Sequence, residues 1–506
     1  MKVRASTFIL AMLSGLLLAS CKNANLSIAG LQCSILNANL FSDGSCHTPG
    51  TLSLVSSKDG TAANAAIGVV GYAAGNGDKS TVAISADGSY ATFLASSTNL
   101  TPYISSSASP YMALYKKSLK NISTSPDFIN TNTGNVSDIT SETVLEASLS
   151  SDGRYVSFVS NSASLVSGIG SGNGSGCGYA LFMKDTSNLY SSVSVISTMN
   201  GTASTSANAN IQDHDLSPDG RYVVFATVAS NLVPTGDYAS SAGDAEVYLK
   251  DLQSPSAQPV LVSSNDGTFS GRMTSFCVSG FCASPVSISG SHVSADGQFI
   301  VFGAQASNLT SVPPSISGSA NSMQIYKKDL SHPSIPPVLV NTSDGTAAGF
   351  QFLNAKTDFT ISSDARYVVY TYNNEIFLKD TLSLSQAPVL VSTPDGSTTA
   401  DGSSASARIS ADGRYVVFLS TASNLIPGVS TSEEQVYIKD LTNLSSRPIL
   451  VSSVDGTAAS AANGSCNLPA INSDGSTVVF VSAASNLVPG FSGATSYAEV
   501  YVWKRN

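Results

Sequence analysis

One short signature recurs seven times along this chain and restricts what it can become. Its centre is an Asp-Gly turn at Asp87, Asp152, Asp219, Asp296, Asp364, Asp412 and Asp474, with Ala365 in place of the glycine once. The copies lie about 65 residues apart on average, a period that accommodates four strands and their loops. Length alone would suggest about three domains of roughly 150 residues each. A repeat that runs through nearly the whole chain overrides that expectation.

Each copy reads as four strands. The clearest is Ile409-Ser-Ala-Asp-Gly-Arg-Tyr-Val-Val-Phe418, then Ala422-Ser-Asn-Leu425, Val436-Tyr-Ile-Lys-Asp-Leu441 and Ile449-Leu-Val-Ser-Ser453. The first strand ends on an apolar residue three before the aspartate, as at Leu216 and Ile409. Glycine then supplies the positive φ that a tight turn needs, and aspartate caps its own turn. The second strand is β-branched and aromatic, the third centres on an aromatic such as Tyr248 or Tyr437, and the fourth is Leu-Val-Ser-Ser or a variant. The seventh copy stops after its third strand. An orphan fourth strand, Leu52-Ser-Leu-Val-Ser-Ser57, precedes the first copy. Joining the two would pair backbone groups otherwise left on open edges. The expected fold is therefore all-β: a seven-bladed β-propeller of four-stranded blades over residues 51–506, closed by the N-terminal strand completing the last blade.

Two of these motifs, Ser217-Pro-Asp-Gly-Arg-Tyr222 and Val247-Tyr-Leu-Lys-Asp-Leu252, resemble the PD40 (WD40-like) repeats of TolB-like propellers. The resemblance covers nearly all of residues 51–506 and implies a repeat type, not a role, because such propellers serve many functions. The additional α/β domain of TolB-like proteins has no counterpart in this sequence, so a Tol-pathway role does not carry over.

The N-terminus reads as an export address. Lys2 and Arg4 precede an apolar run from Phe8 to Leu18, too short to span a bilayer, and Leu18-Ala19-Ser20-Cys21 resembles a bacterial lipobox. That resemblance implies a signal peptide over residues 1–20, lipidation of Cys21 and a lipidated tether over residues 21–50. Lys22 is not the aspartate that retains lipoproteins in the inner membrane. The expected location is thus the cell envelope, at the outer membrane if the host is Gram-negative. Stable attachment through acyl chains takes more than one of them.

Composition narrows the partners. Only 11% of residues are charged, and 24 basic against 34 acidic residues give a net charge of −10 without a basic stripe, which argues against nucleic acid. Six cysteines remain besides Cys21. Cys33 and Cys46 share the tether, Cys277 and Cys282 flank Val-Ser-Gly-Phe, and both sets are possible disulfides. Cys177 and Cys466 are read as loop residues whose pairing stays open. No spacing resembles a zinc site, and Asp237 with Asp244 is too sparse for calcium's six to eight oxygen ligands. No cofactor or metal is expected.

Candidate site residues come from aligning the first strands. Four positions before each turn aspartate stand Ala83, Ser148, Asp215, His292, Thr360, Arg408 and Ala470; six before it the set includes Glu146, Asp213 and Asp358. Equivalent positions in a closed ring surround its axis, which places Asp213, His214, Asp215, His292 and Arg408 near the channel mouth. Such a group either supplies a general base or metal ligand, or simply lines a hydrated channel. The arginines after the turn (Arg154, Arg221, Arg366, Arg414) follow the blade period and read as structural. The irregular features are the long loop from Phe269 to Ser289 and the Asn373-Asn374 hairpin of the fifth blade. The functional expectation is a membrane-anchored, non-enzymatic propeller scaffold that binds a protein or other envelope component. The alternative is a hydrolase or glycan-binding propeller using the channel group.

Overall fold

The computed structural model describes residues 39–40, 46–47, 50–66, 81–97, 99–100, 112–132, 143–162, 164–169, 178–233, 244–274, 277–278, 281–282, 288–306, 308–310, 323–344, 358–429, 433–491 and 498–505. Cys21, Cys33, Cys177 and Asp237 lie outside them. Contacts divide the chain into residues 1–49 with residue 506, and residues 50–505. Within the first unit, Asn39–Leu40 pairs antiparallel with Cys46–His47.

The second unit contains seven four-stranded antiparallel sheets. Blade 1 is Val82–Ile84, Tyr90–Ala95, Ala113–Ser118 and Asp127–Phe128; blade 2 is Val144–Leu149, Tyr155–Ser160, Ala180–Asp185 and Ser194–Val195. Blade 3 follows with Ile211–Leu216, Tyr222–Thr227, Glu246–Asp251 and Val260–Leu261, and blade 4 with Ile288–Val293, Phe299–Ala304, Gln324–Asp329 and Val338–Leu339. Blade 5 is Phe359–Ile361, Tyr367–Tyr372, Glu375–Asp380 and Val389–Leu390; blade 6 is Ser404–Ile409, Tyr415–Ser420, Gln435–Asp440 and Ile449–Leu450. Blade 7 combines Cys466–Ile471, Thr477–Ser482 and Glu499–Lys504 with the early strand Thr51–Leu54. First strands of successive blades touch all the way round, and that of blade 7 touches that of blade 1. The protein is a closed seven-bladed β-propeller.

Closure takes the form expected from the repeat. Thr51 stands opposite Lys504 and Leu54 opposite Tyr501. Ser56 accepts the Val500 N–H at 2.8 Å, just as Ser263 accepts that of Val247 at 2.9 Å in the covalently continuous blade 3. The borrowed strand thus reproduces the bonds of an ordinary fourth strand.

The turn motif is a local bonding unit. In blade 3, Ser217 Oγ donates to Asp219 at 2.6 Å and accepts the Tyr222 N–H at 2.8 Å, while Asp219 accepts the Arg221 N–H at 2.9 Å. Gly220 holds φ at +73°, and a Cβ there would come within 2.6 Å of the Tyr155 ring in the preceding blade. The turn therefore needs glycine for both its backbone and its packing. In blade 5 the two-residue connection Asn373-Asn374 has φ of 50° and 62°, the left-handed pair that hairpin turns of type I′ require.

The core lies between second and third strands of adjacent blades. Within each blade, stacked pairs across the second and third strands, such as Phe225–Tyr248 and Phe418–Tyr437, each with ring centroids 5.8 Å apart, are buried and recur around the ring. Aromatic pairs of this kind contribute about 0.5–1.5 kcal/mol beyond their area.

Two belts join the blades. The inner one links the turns: Asp87 N–H to Ser151 O, Ser151 N–H to Pro218 O, Ala295 N–H to Ser363 O, Ser363 N–H to Ala411 O, Asp412 N–H to Ser473 O and Ser473 N–H to Ala86 O, all at 2.7–3.2 Å. The outer one uses a buried lysine near the end of the third strand in blades 1 to 6. Lys117, Lys184, Lys250, Lys328, Lys379 and Lys439 donate to carbonyls of Ser57, Thr131, Thr198, Ser264, Thr342 and Thr393 in the preceding blade. The recurring arginines also close structural contacts. Arg221 grips Asp251 through Nε at 3.1 Å and Nη2 at 2.8 Å, and its guanidinium lies 4.6 Å from the Tyr222 ring centroid.

Cys466 differs from its expected place in a loop. It opens the first strand of blade 7, fully buried, as a free thiol. The backbone of Cys277–Val278 pairs with Phe281–Cys282, which sets Cys277 opposite Cys282.

Candidate site in the channel wall

The first strands of blades 2 to 6 carry polar and charged side chains where blades 7 and 1 carry Ala470 and Ala83. Side chains alternate between the two faces of a strand, so Asp213 and Asp215 share one face of Ile211–Leu216 and His214 takes the other. That one-residue difference separates their environments.

His214 points into the interface between blades 2 and 3, with its side chain 1% exposed. Nδ1 lies 2.7 Å from Glu146 Oε1 and Nε2 lies 3.0 Å from Ser157 Oγ. Carboxylate, imidazole and hydroxyl in that order match the spacing of a nucleophile, its base and the group that orients the base. Ser157 is fully buried in the middle of Tyr155–Ser160. A nucleophile must reach a substrate, so this trio serves as a buried clamp between two blades.

Asp215 and His292 face the channel and retain side-chain exposures of 25% and 20%. Asp215 Oδ2 lies 3.2 Å from His292 Nδ1, and its Oδ1 accepts the Leu216 N–H at 3.0 Å. On the far side of the ring, His292 Nε2 lies 2.9 Å from the Phe359 carbonyl of blade 5, and the Phe359 ring meets the imidazole edge-on with centroids 5.3 Å apart. Both imidazole nitrogens therefore face acceptors, and one histidine connects three blades.

Asp213 is buried and accepts a hydrogen bond from Ser291 of blade 4. Arg408 Nη1 pairs with Asp358 at 2.5 Å and also donates to the Ala407 carbonyl at 2.8 Å. The five residues singled out in the sequence thus divide among four arrangements along the wall, each crossing a blade boundary. Among the described residues no three His, Cys, Asp or Glu side chains converge as metal ligands.

Three partners escaped the sequence reading: Ser157, Ser291 and the Phe359 carbonyl. The alternation of the strand was the available signal for Ser157, since it turns His214 away from the axis. Ser291 reaches Asp213 because the strand Ile288–Val293 shifts register between Ile288 and Ser291, where Gly290 has φ of +74°. No residue pattern announces that bulge.

No family model matches the chain, and no curated protein matches it. Among solved structures, the β-propeller domain of the Trilobed protease from Pyrococcus furiosus is 13% identical, with 86% of this chain and 94% of that one covered and a TM-score of 0.44. The acylaminoacyl peptidase of Pyrococcus horikoshii is 12% identical over 86% of this chain and 51% of that one, with a TM-score of 0.44. This chain spans about half the length of the latter enzyme. Likeness at this level concerns the fold and carries no activity across.

Proposed function

We propose that the protein is a lipid-anchored envelope propeller that acts as a non-catalytic scaffold for a protein or other envelope component. One observation carries the reading: the polar groups of the channel wall are engaged with each other. His214 is held by Glu146 and Ser157, His292 by Asp215 and Phe359, and Arg408 by Asp358. Groups fixed in this way serve to hold a rigid ring. The anchor rests on Leu18-Ala19-Ser20-Cys21.

The test combines fractionation with crosslinking in native envelopes. Wild-type protein should sediment with membranes and a Cys21→Ser variant should not. Photocrosslinkers at Arg154 and Arg414 on the turn face should yield a discrete adduct only with the anchored form. Equal sedimentation of both forms would remove the anchor, and adducts indistinguishable between them would remove the tethered scaffold.

A second reading, glycan binding or hydrolysis at the channel, draws on the partial exposure of Asp215 and His292. It requires saccharide binding or turnover by purified protein that His292→Ala and Asp215→Asn abolish while the fold is retained.

A further inference from the structure

The third strands of blades 3, 5, 6 and 7 open with Glu246, Glu375, Gln435 and Glu499. In each, one side-chain oxygen accepts a hydrogen bond from a serine: Ser263, Ser392, Ser452 or Ser56. The other atom of the head group is satisfied differently from blade to blade. Gln435 Nε2 donates to the Ala462 carbonyl at 3.0 Å. Glu246 Oε1 has Arg272 Nε at 3.8 Å, and Glu375 accepts a further bond from the Ala400 backbone. Glu499 Oε1 is buried with neither a donor nor a cation beside it among the described residues.

A buried carboxylate oxygen without a donor is costly, whereas a carboxylic acid in the same place brings its own donor. The repeat marks the acceptor. Ala66 N–H donates to the Ser56 carbonyl at 2.8 Å, just as Ala462 N–H donates to that of Ser452 at 2.8 Å. The Ala66 carbonyl thus takes in blade 7 the place that Ala462 fills in blade 6. We propose that Glu499 is held as a carboxylic acid that donates to the Ala66 carbonyl, so that one proton latches segment 57–66 beside the closing strand. Burial that pushes this carboxyl up to about 8 agrees with the assignment. The titratable groups on the elements packed around it are Cys466 and Tyr501 of blade 7, Glu434 and Tyr437 of blade 6, Tyr115 and Lys117 of blade 1, and Asp59 in the segment itself. Lys117 is the one cation among them, and its Nζ is engaged by the Ser57 carbonyl at 2.7 Å. Asn99 Nδ2 also holds the segment, at the Ala65 carbonyl, 2.7 Å away. Loss of the proton sets a carboxylate oxygen against a carbonyl oxygen and loosens segment 57–66. The ring stays closed, because Thr51–Leu54 remains paired with Tyr501–Lys504.

The latched form keeps its proton up to about pH 8, and the opened form releases it above about pH 4.5. Opening is therefore hardest below the lower value, becomes easier as pH rises between the two, and levels off above the upper one. Hydrogen exchange by mass spectrometry on the full-length protein, corrected for the pH dependence of intrinsic exchange, tests this. Protection of segment 57–66 should fall by up to about tenfold per pH unit between about pH 5 and about pH 8. Segment 454–462, which Gln435 holds through an amide, serves as the internal control and should keep constant protection. Glu499→Gln should make segment 57–66 equally insensitive to pH. If that variant fails to fold, the contrast between the two segments in the wild-type protein decides. A wild-type segment 57–66 with flat protection, or a folded Glu499→Gln protein that keeps the wild-type pH profile, overturns the proton latch.

Discussion

Ser56 and Glu499 lie 443 positions apart in the chain and share a hydrogen bond that fastens the first strand of the propeller to its last. The Glu499 carboxyl is buried, its Oε1 has no hydrogen-bond partner among the described residues, and burial pushes its pKa from 4.5 up to about 8. The folded chain therefore keeps this proton between about pH 4.5 and 8 while the unfolded chain releases it. Its contribution to stability is complete below the unfolded value and is lost as pH rises through the folded one. Glutamine already occupies the equivalent place at Gln435, where it accepts from Ser452 at 2.8 Å and donates to Ala462 at 3.0 Å. Glu499→Gln should therefore stabilise the protein relative to wild type by a margin that grows from about pH 5 to about pH 8, by at most about 1.4 kcal/mol per pH unit, and then levels off. Thermal melts across that range, showing a constant margin, would refute the account.

His214 and Glu146 form a buried pair, so removing one partner strands the other. His214→Ala should cost about 2–5 kcal/mol, because it leaves a ring-sized cavity and strands the Glu146 carboxyl and Ser157 hydroxyl without their partner. Glu146→Gln keeps an acceptor toward the ring and should cost about 1 kcal/mol. Guanidinium denaturation of both variants measures the difference. Equal losses would mean that the pair does not act as a clamp.

Ala365 sits in the turn position that glycine fills elsewhere, with φ of +52°. A left-handed alanine costs about 1–2 kcal/mol, partly offset by the greater unfolded freedom of glycine. Ala365→Gly should accordingly stabilise the protein by about 0.5–1 kcal/mol. The reverse change, Gly220→Ala, should destabilise it by more than about 1 kcal/mol, because a Cβ there also meets Tyr155. Denaturation midpoints of the two variants should move in opposite directions.

The thiol of Cys466 is buried against Ser482 at 3.4 Å, and burial pushes its pKa up to about 12. Thiolate is the reactive form, so native protein should leave this cysteine unlabelled at pH 8 and denatured protein should expose it at once. Peptide mapping after alkylation distinguishes the two states. Rapid labelling in the native protein would place Cys466 at a surface.

The sequence made the blade count and the closing strand legible because both follow from a repeat. Asp-Gly turns mark one boundary per blade, and the unmatched Leu52-Ser-Leu-Val-Ser-Ser57 had one vacant place to fill. Side-chain partnerships across blade boundaries were less legible. Glu146 and Asp213 share an aligned position, yet one binds a histidine 68 residues away and the other a serine 78 residues away. Those choices depend on strand alternation and on a register shift at Gly290, which act in space and not along the chain. Cys466 was misplaced for a related reason: the first strand of blade 7 starts earlier than its apolar residues suggest.

The pairing of Thr51–Leu54 with Glu499–Lys504 also sets an order on assembly. A chain made or exported from its N-terminus presents this strand early, and its partner arrives some 450 residues later. Until then an early edge and six finished blades wait with open hydrogen-bonding groups, the exposure that leads strands to pair with the wrong neighbour. Loss of the last strand, even by a short truncation, leaves the first strand without its place. Errors at the two extremes of the propeller should therefore produce the same open, association-prone ring.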